Sequence, residues 1–201
     1  MSTWLMIGSS PSVLQTLPQF DDFAGTVITC NAGIKLWPDP HYFAAIDQLA
    51  TLQWHDLALA AQKRGTKLIT LKRGTRATKD RKIGHYDIHI QEGRGVEPTQ
   101  SSWGCFRYTG PLCVEFACRY GAEAIHLIGM DGYRSGNDYF DPETERRHIK
   151  APESSHNINH LQPRLQNLTS TWPDVQFIQH GNPCYTVSAP NWEIREPAWS
   201  Q

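Results

Sequence analysis

Three polar constellations in this chain carry side chains suited to holding a phosphorylated ligand and moving a proton. The first is Gly8-Ser9-Ser10-Pro11-Ser12, which follows the apolar run Trp4 to Ile7 and precedes Val13, Leu14 and Leu17 at helical spacing. A loop between a strand and a helix offers backbone N–H groups and the helix N-terminus to a phosphate, and Ser9, Ser10 and Ser12 add hydroxyl donors. It is neither a Walker loop nor a GxGxxG fingerprint, and Ser12 has equally the chemistry of a helix cap. The second is Asp131-Gly132-Tyr133 followed by Tyr139. Two phenols after a strand end can donate to phosphate oxygens, and a carboxylate there can bind a ribose hydroxyl, although half-buried structural tyrosines give the same pattern. The third is Ser155-His156-Asn157-Ile158-Asn159-His160, with histidines four apart. Imidazole as a group has the chemistry of a general base toward a hydroxyl acceptor, and either histidine could supply it. The His-x-x-x-His spacing also suits a metal, but the glutamate of the zinc-protease motif is absent, and surface histidines without a role are the plain alternative.

The elements that must position these groups alternate. Trp4 to Ile7 reads as a strand, and Thr26 to Thr29 as a buried β-branched strand delivering Cys30 and Asn31 into a loop. His41 to Ile46 leads to Asp47 at another strand end, Leu49 to Arg64 is helical in composition, and Lys67 to Leu71 is the next strand. Gly110 to Tyr120 is a helix stopped by Gly121, and Ala124 to Ile128 is a strand running into Gly129-Met130-Asp131. Leu161 to Leu168 and Val175 to Ile178 close the series as helix and strand. Strands alternating with helices predict an α/β fold: one Rossmann-like domain over residues 1–190, doubly wound, with a mostly parallel sheet and helices on both faces. Residues 191–201, which follow Pro190 and contain Pro197, read as a C-terminal tail. Ligands of such sheets bind beyond the carboxyl ends of the strands, so Gly8 to Ser12, Asn31, Asp47 and Asp131 to Tyr133 are expected on one rim.

Bulk properties narrow the function classes. No stretch approaches the ~18 apolar residues of a membrane span, and the start of the chain lacks a basic leader, so a cytoplasmic protein with neither a membrane span nor an anchor is expected. Five cysteines without a CxxC pair argue for reduced thiols rather than a disulfide framework or a structural zinc site. A formal charge of −1 supplies no field for a polyanion, which disfavours a nucleic-acid partner. The local exception is Lys63 to Lys82, nine cations against Asp80, a solvated basic loop or a contact to phosphate or an anionic acceptor.

Taken in order, these motifs resemble the bacterial sialyltransferase family of the Campylobacter lipooligosaccharide type, whose clan also holds motility-accessory-factor-like proteins and archaeal 6-hydroxymethylpterin diphosphokinases. That family opens with a strand and Gly-Asn-Gly-Pro-Ser, matched by Gly8 to Ser12 with Ser9 in place of the Asn. Its strand ending Cys-Asn is matched by Cys30-Asn31, its Ser-Gly-Val by Thr109-Gly110-Pro111, and its Gly-Ile-Asp-Phe-Tyr by Gly129 to Tyr133. Tyr139 falls on its second phosphate-binding tyrosine, and Ser155-His156 to His160 on its Ser-His-x-x-x-His. Asp47 stands where the family has an Asn near the sugar donor.

The resemblance implies a glycosyltransferase that moves a sugar from a nucleotide-activated donor, such as a CMP-sugar, to a hydroxyl acceptor by inverting displacement. Gly8, Ser9, Ser10, Ser12, Asn31, Asp47, Thr109, Gly110 and Asp131 would hold the nucleotide. Tyr133 and Tyr139 would stabilise the departing phosphate, and His160 would deprotonate the acceptor. No metal or other cofactor is implied, because the tyrosines neutralise the charge on the leaving group. Homo-oligomers are common in the family. The alternatives are a diphosphokinase with Asp47 and Asp131 as magnesium ligands, and a nucleotide-binding module without catalysis.

Overall fold

A computed structural model describes residues 1–46, 53–72, 86–91, 103–104, 108–132, 140–141 and 157–196. Eight parallel strands form one sheet: β1 (Thr3–Ile7), β2 (Thr26–Cys30), β3 (Tyr42–Ala44), β4 (Lys67–Lys72), β5 (Ile88–Gln91), β6 (Ala124–Ile128), β7 (Gln176–His180) and β8 (Trp192–Arg195). Their order is β5-β4-β3-β2-β1-β6-β7-β8. The chain therefore builds outward from β1 on one side, then crosses back to lay β6, β7 and β8 on the other. The expected α/β architecture is present, and its switch point lies between β1 and β6, the place at whose carboxyl ends sheets of this topology bind ligands.

Alternate strand residues face opposite layers. Trp4 and Met6 of β1, with Ile28, Ile69, Ile125, Leu127 and Phe177, pack against helices α3 (Thr109–Arg119) and α4 (Gln162–Thr171). Leu5 and Ile7 pack on the other face with Val13 of the single turn α1 (Val13–Thr16) and Phe20 of the following 3-10 turn, while Phe43 and Leu68 pack against α2 (His55–Lys63). Both faces are thus covered, which is why the central strands read as continuous apolar runs. Each such side chain contributes about 1.5–3 kcal/mol on burial.

Helix α3 is buried at nine of its eleven positions and threads the middle of one layer. Pro111 is tolerated because it lies in the first turn, where its missing N–H has no intrahelical partner. Gly121 ends the helix at φ +83, with Ala122 N–H bonding the Ala117 carbonyl at 3.0 Å and Gly121 N–H the Cys118 carbonyl at 3.2 Å, a Schellman closure. The helix expected over Leu49 to Arg64 is described as α2 from His55, and residues 47–52 lie outside the described residues. The segment read as a tail supplies β8, which pairs with β7 from Trp192 to Arg195. No helix among the described residues is long and apolar enough to cross a membrane.

A polar pair interrupts the α1 side of the core. His126 Nδ1 and His180 Nε2 lie 2.9 Å apart, their rings stacked at 5.1 Å, with Phe20 edge-on to both. One ring donates and the other accepts, so the accepting ring is neutral and the two cannot both carry a proton on the facing nitrogens. Burial first, then the charges of His126 and Arg195, push His180 down to about 4 from 6.5, against the opposing pull of Glu193. Burial and Arg195 also lower His126. The unfolded chain therefore takes up protons that the folded chain refuses. Stability is fully present above pH about 6.5 and is lost as pH falls toward 4. A His180→Gln variant, which keeps a donor for His126, is expected to flatten the fall of Tm across that window; parallel Tm curves for variant and wild type would assign the fall to other groups.

Candidate functional site

Backbone packing, rather than an open cradle, shapes the Gly8 to Ser12 loop. Gly8 N–H donates to the Ile128 carbonyl at 2.8 Å and Ser10 N–H to the Gly129 carbonyl at 2.9 Å, so these two donors face β6 and not a ligand. The expected run of consecutive N–H groups around a phosphate is corrected accordingly: α1 is only one turn, and its first N–H groups bond the carbonyls of Ser10 and Pro11. What the loop presents instead are hydroxyls. Ser12 is itself helical in backbone conformation and makes no capping bond, so the capping role is not the one it fills. Its Oγ is shielded from solvent and has no hydrogen-bond partner among the described residues. A buried polar atom left unpaired is costly and calls for an explanation, and a ligand is one.

Asn31 opens the 3-10 turn Asn31–Lys35 after β2. Its φ of +49 is the only positive value at a non-glycine position among the described residues, a conformation that Asn tolerates better than most. Its Oδ1 is likewise buried with no hydrogen-bond partner among the described residues. Gly33 lets this turn lie on the end of β1, since a Cβ there would meet the Ile7 carbonyl oxygen at 2.8 Å. Lys35 of the same turn pairs at 3.0 Å with Asp141, whose side chain is 5% exposed, and Phe140 N–H donates to the Ser9 carbonyl at 2.9 Å. Phe140 and Asp141 therefore lie against both loops.

At the end of β6, Asp131 is 7% exposed, and its carbonyl accepts from Cys184 N–H at 2.7 Å. Gly181, at φ +107 just beyond β7, allows Asp131 and Ser12 to approach the same point: a Cβ on it would lie 2.8 Å from Asp131 Oδ1 and 3.4 Å from Ser12 Oγ. The Tyr185 hydroxyl lies 2.7 Å from the Met130 carbonyl oxygen and 3.0 Å from Gln179 Oε1. Burial foremost, then Asp131 and Cys184, push its pKa up, so it remains a neutral phenol that fixes the backbone beside Asp131. Thr109 and Gly110 start α3 against the end of β6, where a Cβ on Gly110 would meet the Met130 Sδ at 2.5 Å.

His160 lies on the turn Asn157–Leu161, a π-helical turn that leads into α4, and is exposed. Its ring faces that of Tyr108, the residue immediately before α3, with centroids 6.2 Å apart and planes at 27°. The structure thus brings Gly8, Ser9, Ser10, Ser12, Asn31, Thr109, Gly110 and Asp131 together around the ends of β1, β2 and β6, with His160 tied to the start of α3. Tyr133, Tyr139, Asp47 and His156 lie outside the described residues. Sequence reasoning missed Gly181, Tyr185, Tyr108 and Arg164. Only Gly181 left a local signal, a glycine directly after the strand ending at His180.

This rim is the carboxyl edge of a doubly wound parallel sheet, where folds of this type bind their ligands, and solved structures similar to it in fold include glycosyltransferases. The sialyltransferase CstII from Campylobacter jejuni, in complex with cytidine-5′-monophosphate, superposes with a TM-score of 0.56 at 14% identity, over 89% of this chain and 79% of that one. The same sialyltransferase with a trisaccharide acceptor and CMP gives 0.57 at 15% identity, over 88% and 80%. The MAf glycosyltransferase from Magnetospirillum magneticum AMB-1 gives 0.61 at 12% identity over 96% of this chain, which spans 33% of that protein. No family model and no curated protein matches the sequence.

Proposed function

We propose that the chain transfers a sugar from a nucleotide-activated donor, a CMP-sugar by preference, to a hydroxyl acceptor. The observation that carries this reading is the pair of buried oxygens without hydrogen-bond partners among the described residues, Ser12 Oγ and Asn31 Oδ1, on the rim of the β1–β6 switch point. Both can engage a polar ligand at the edge where this sheet topology binds one. Asp131 stands beside Ser12 to accept from a ribose or sugar hydroxyl, and Thr109 and Gly110 close the site from α3. The acceptor oxygen attacks the anomeric carbon as the bond to the nucleotide phosphate breaks. The nucleotide leaves with that electron pair, toward Tyr133 and Tyr139, and His160 takes the acceptor's proton. In this reading no metal is needed, since the phenols meet the developing charge.

The test is a thermal-shift series with CMP, CDP, UMP, UDP, GDP, AMP and ATP, each with and without magnesium. A ligand at 100 times its Kd stabilises by about 2.7 kcal/mol, which is readily seen. A shift with a cytidine nucleotide that is indifferent to magnesium is expected, and it should survive His160→Ala while transfer does not. A shift confined to ATP with magnesium would replace this reading with pyrophosphate transfer, and full transfer by His160→Ala would remove the assigned base.

A further inference from the structure

Tyr108 is contacted by two groups from the segment that carries His160. The guanidinium carbon of Arg164 lies 4.6 Å from the centre of its ring, and the His160 imidazole faces the same ring. Arg164 also reaches back one turn, donating from Nη1 to the His160 carbonyl at 2.6 Å. Its Nε is shielded from solvent with no hydrogen-bond partner among the described residues. Burying part of a guanidinium in this way is unfavourable unless its planar shape is required, since a Met would fill the same space with no donor to satisfy.

The contacts form a closed chain: Arg164 holds the backbone of His160, Tyr108 faces the imidazole, and Arg164 covers Tyr108. They are also built on an unusual backbone. A π turn is a rare excursion from the α-helix, met chiefly at functional sites, and the Nη1 bond occupies a carbonyl within it. An exposed histidine otherwise exchanges rotamers on the picosecond to nanosecond scale.

We propose that Arg164 is a positioning residue that, through Tyr108 and the His160 carbonyl, fixes the His160 imidazole beside the start of α3. The purpose of this arrangement rests on the transferase reading, in which the imidazole must already be aimed when the acceptor hydroxyl arrives. Arginine is required because a planar guanidinium can stack on the phenol while its fork reaches a carbonyl, whereas an ammonium offers only a point charge.

The test needs no ligand and reads the ring directly. In NMR spectra of the intact protein, the Cε1–H and Cδ2–H signals of His160, identified by their loss in His160→Gln, are expected upfield of an exposed histidine because the ring faces Tyr108. Arg164→Ala and Arg164→Lys are expected to move them to exposed-histidine positions at a nearly unchanged Tm, whereas Tyr108→Phe should leave them in place. His160 signals unmoved in a folded Arg164→Ala overturn the proposal. Should that variant fail to fold, Arg164→Lys, which leaves the Tyr108 ring in place, is read the same way: released signals support the proposal and unmoved ones overturn it. With a donor and acceptor in hand, kcat for Arg164→Ala is expected to fall about 100-fold with little change in KM, the size of effect a misplacement near 1 Å brings. A raised KM at unchanged kcat would instead make Arg164 a binding residue. A chain that binds no nucleotide defeats the transferase reading without touching the NMR result.

Discussion

Replacing Glu115 with alanine is expected to lower the unfolding free energy by about 3–5 kcal/mol, the cost of breaking a buried ion pair from one side. The Glu115 side chain is fully buried within α3 and that of Arg119, one turn on, is 13% exposed. Both carboxylate oxygens accept the Gly104 N–H, at 3.0 and 3.1 Å, and Oε1 accepts Arg119 Nη2 at 2.7 Å and Nε at 3.1 Å. The guanidinium in turn lies 4.5 Å from the Trp103 ring and 5.4 Å from that of Trp172. Truncating Glu115 leaves that cation between two indoles without the carboxylate that offsets its desolvation, and strands the Gly104 donor. Removing both charges is a different matter: Glu115→Leu with Arg119→Met is expected to recover most of the loss, because no desolvated ion remains. Urea denaturation of the two single variants and the double variant measures the coupling. A loss under 1 kcal/mol for Glu115→Ala would mean that water reaches Arg119. The effect bears on the site as well, since Glu115 ties residues 103–104 to the helix whose first turn carries Thr109 and Gly110.

Of that arrangement the sequence shows only the Glu115–Arg119 spacing of four within one helix; Trp103 and Trp172 lie in separate segments with no periodic relation to it. The central strands were legible because burial on both faces leaves nearly unbroken apolar runs, as in Trp4 to Ile7 and Ala124 to Ile128, and Gly121 marked the end of α3 by its conformational freedom. The outer strands β5 and β8 escaped notice for the converse reason. Ile88–Gln91 alternates over only four residues, and Trp192–Arg195 lies at the sheet edge with two exposed positions, between Pro190 and Pro197 at the end of the sequence, where it reads as a tail.

The site divides along the same line. Ser12, Asn31 and Asp131 could be found because each follows a recognisable strand. Gly181 and Tyr185 could not, because they acquire meaning only when β7 is laid beside β6 and brings them against Ser12 and Asp131. Arg164 resembles any exposed cation of an amphipathic helix until Tyr108 is placed beside it. Ser12 shows how a correct position can be assigned the wrong local role. Serine ahead of an apolar helical run is a capping signal, yet here its backbone is already helical, which turns the hydroxyl away from the free N–H groups it would cap.

The crossing of the β1 and β6 loops makes Gly8→Ala the second large effect, with an expected loss of about 2–4 kcal/mol from overpacking and a broken buried hydrogen bond. The added methyl would sit 2.9 Å from the Gly129 carbonyl carbon and closer still to its oxygen, which is backbone and has no rotamer to change. Nor can Gly129 withdraw: its φ is +64, and the site of its own Cβ lies 2.9 Å from Val13 Cβ and 3.1 Å from the Gly8 carbonyl carbon. The loops must separate, and the bonds from Gly8 N–H to Ile128 and from Ser10 N–H to Gly129 lengthen together. Gly110→Ala supplies the contrast. Its methyl would meet the Met130 thioether, a side chain that can swing aside, so a loss under about 1.5 kcal/mol is expected. Because the displaced Gly8 loop carries Ser9, Ser10 and Ser12, any stabilisation by CMP should vanish in Gly8→Ala even at temperatures where the variant remains folded. If the two alanine variants prove equally stable in urea, the loops are not interlocked at Gly8 and Gly129. If Gly8→Ala is destabilised yet keeps its full response to CMP, the interlock stands and the nucleotide must be held away from the serine loop.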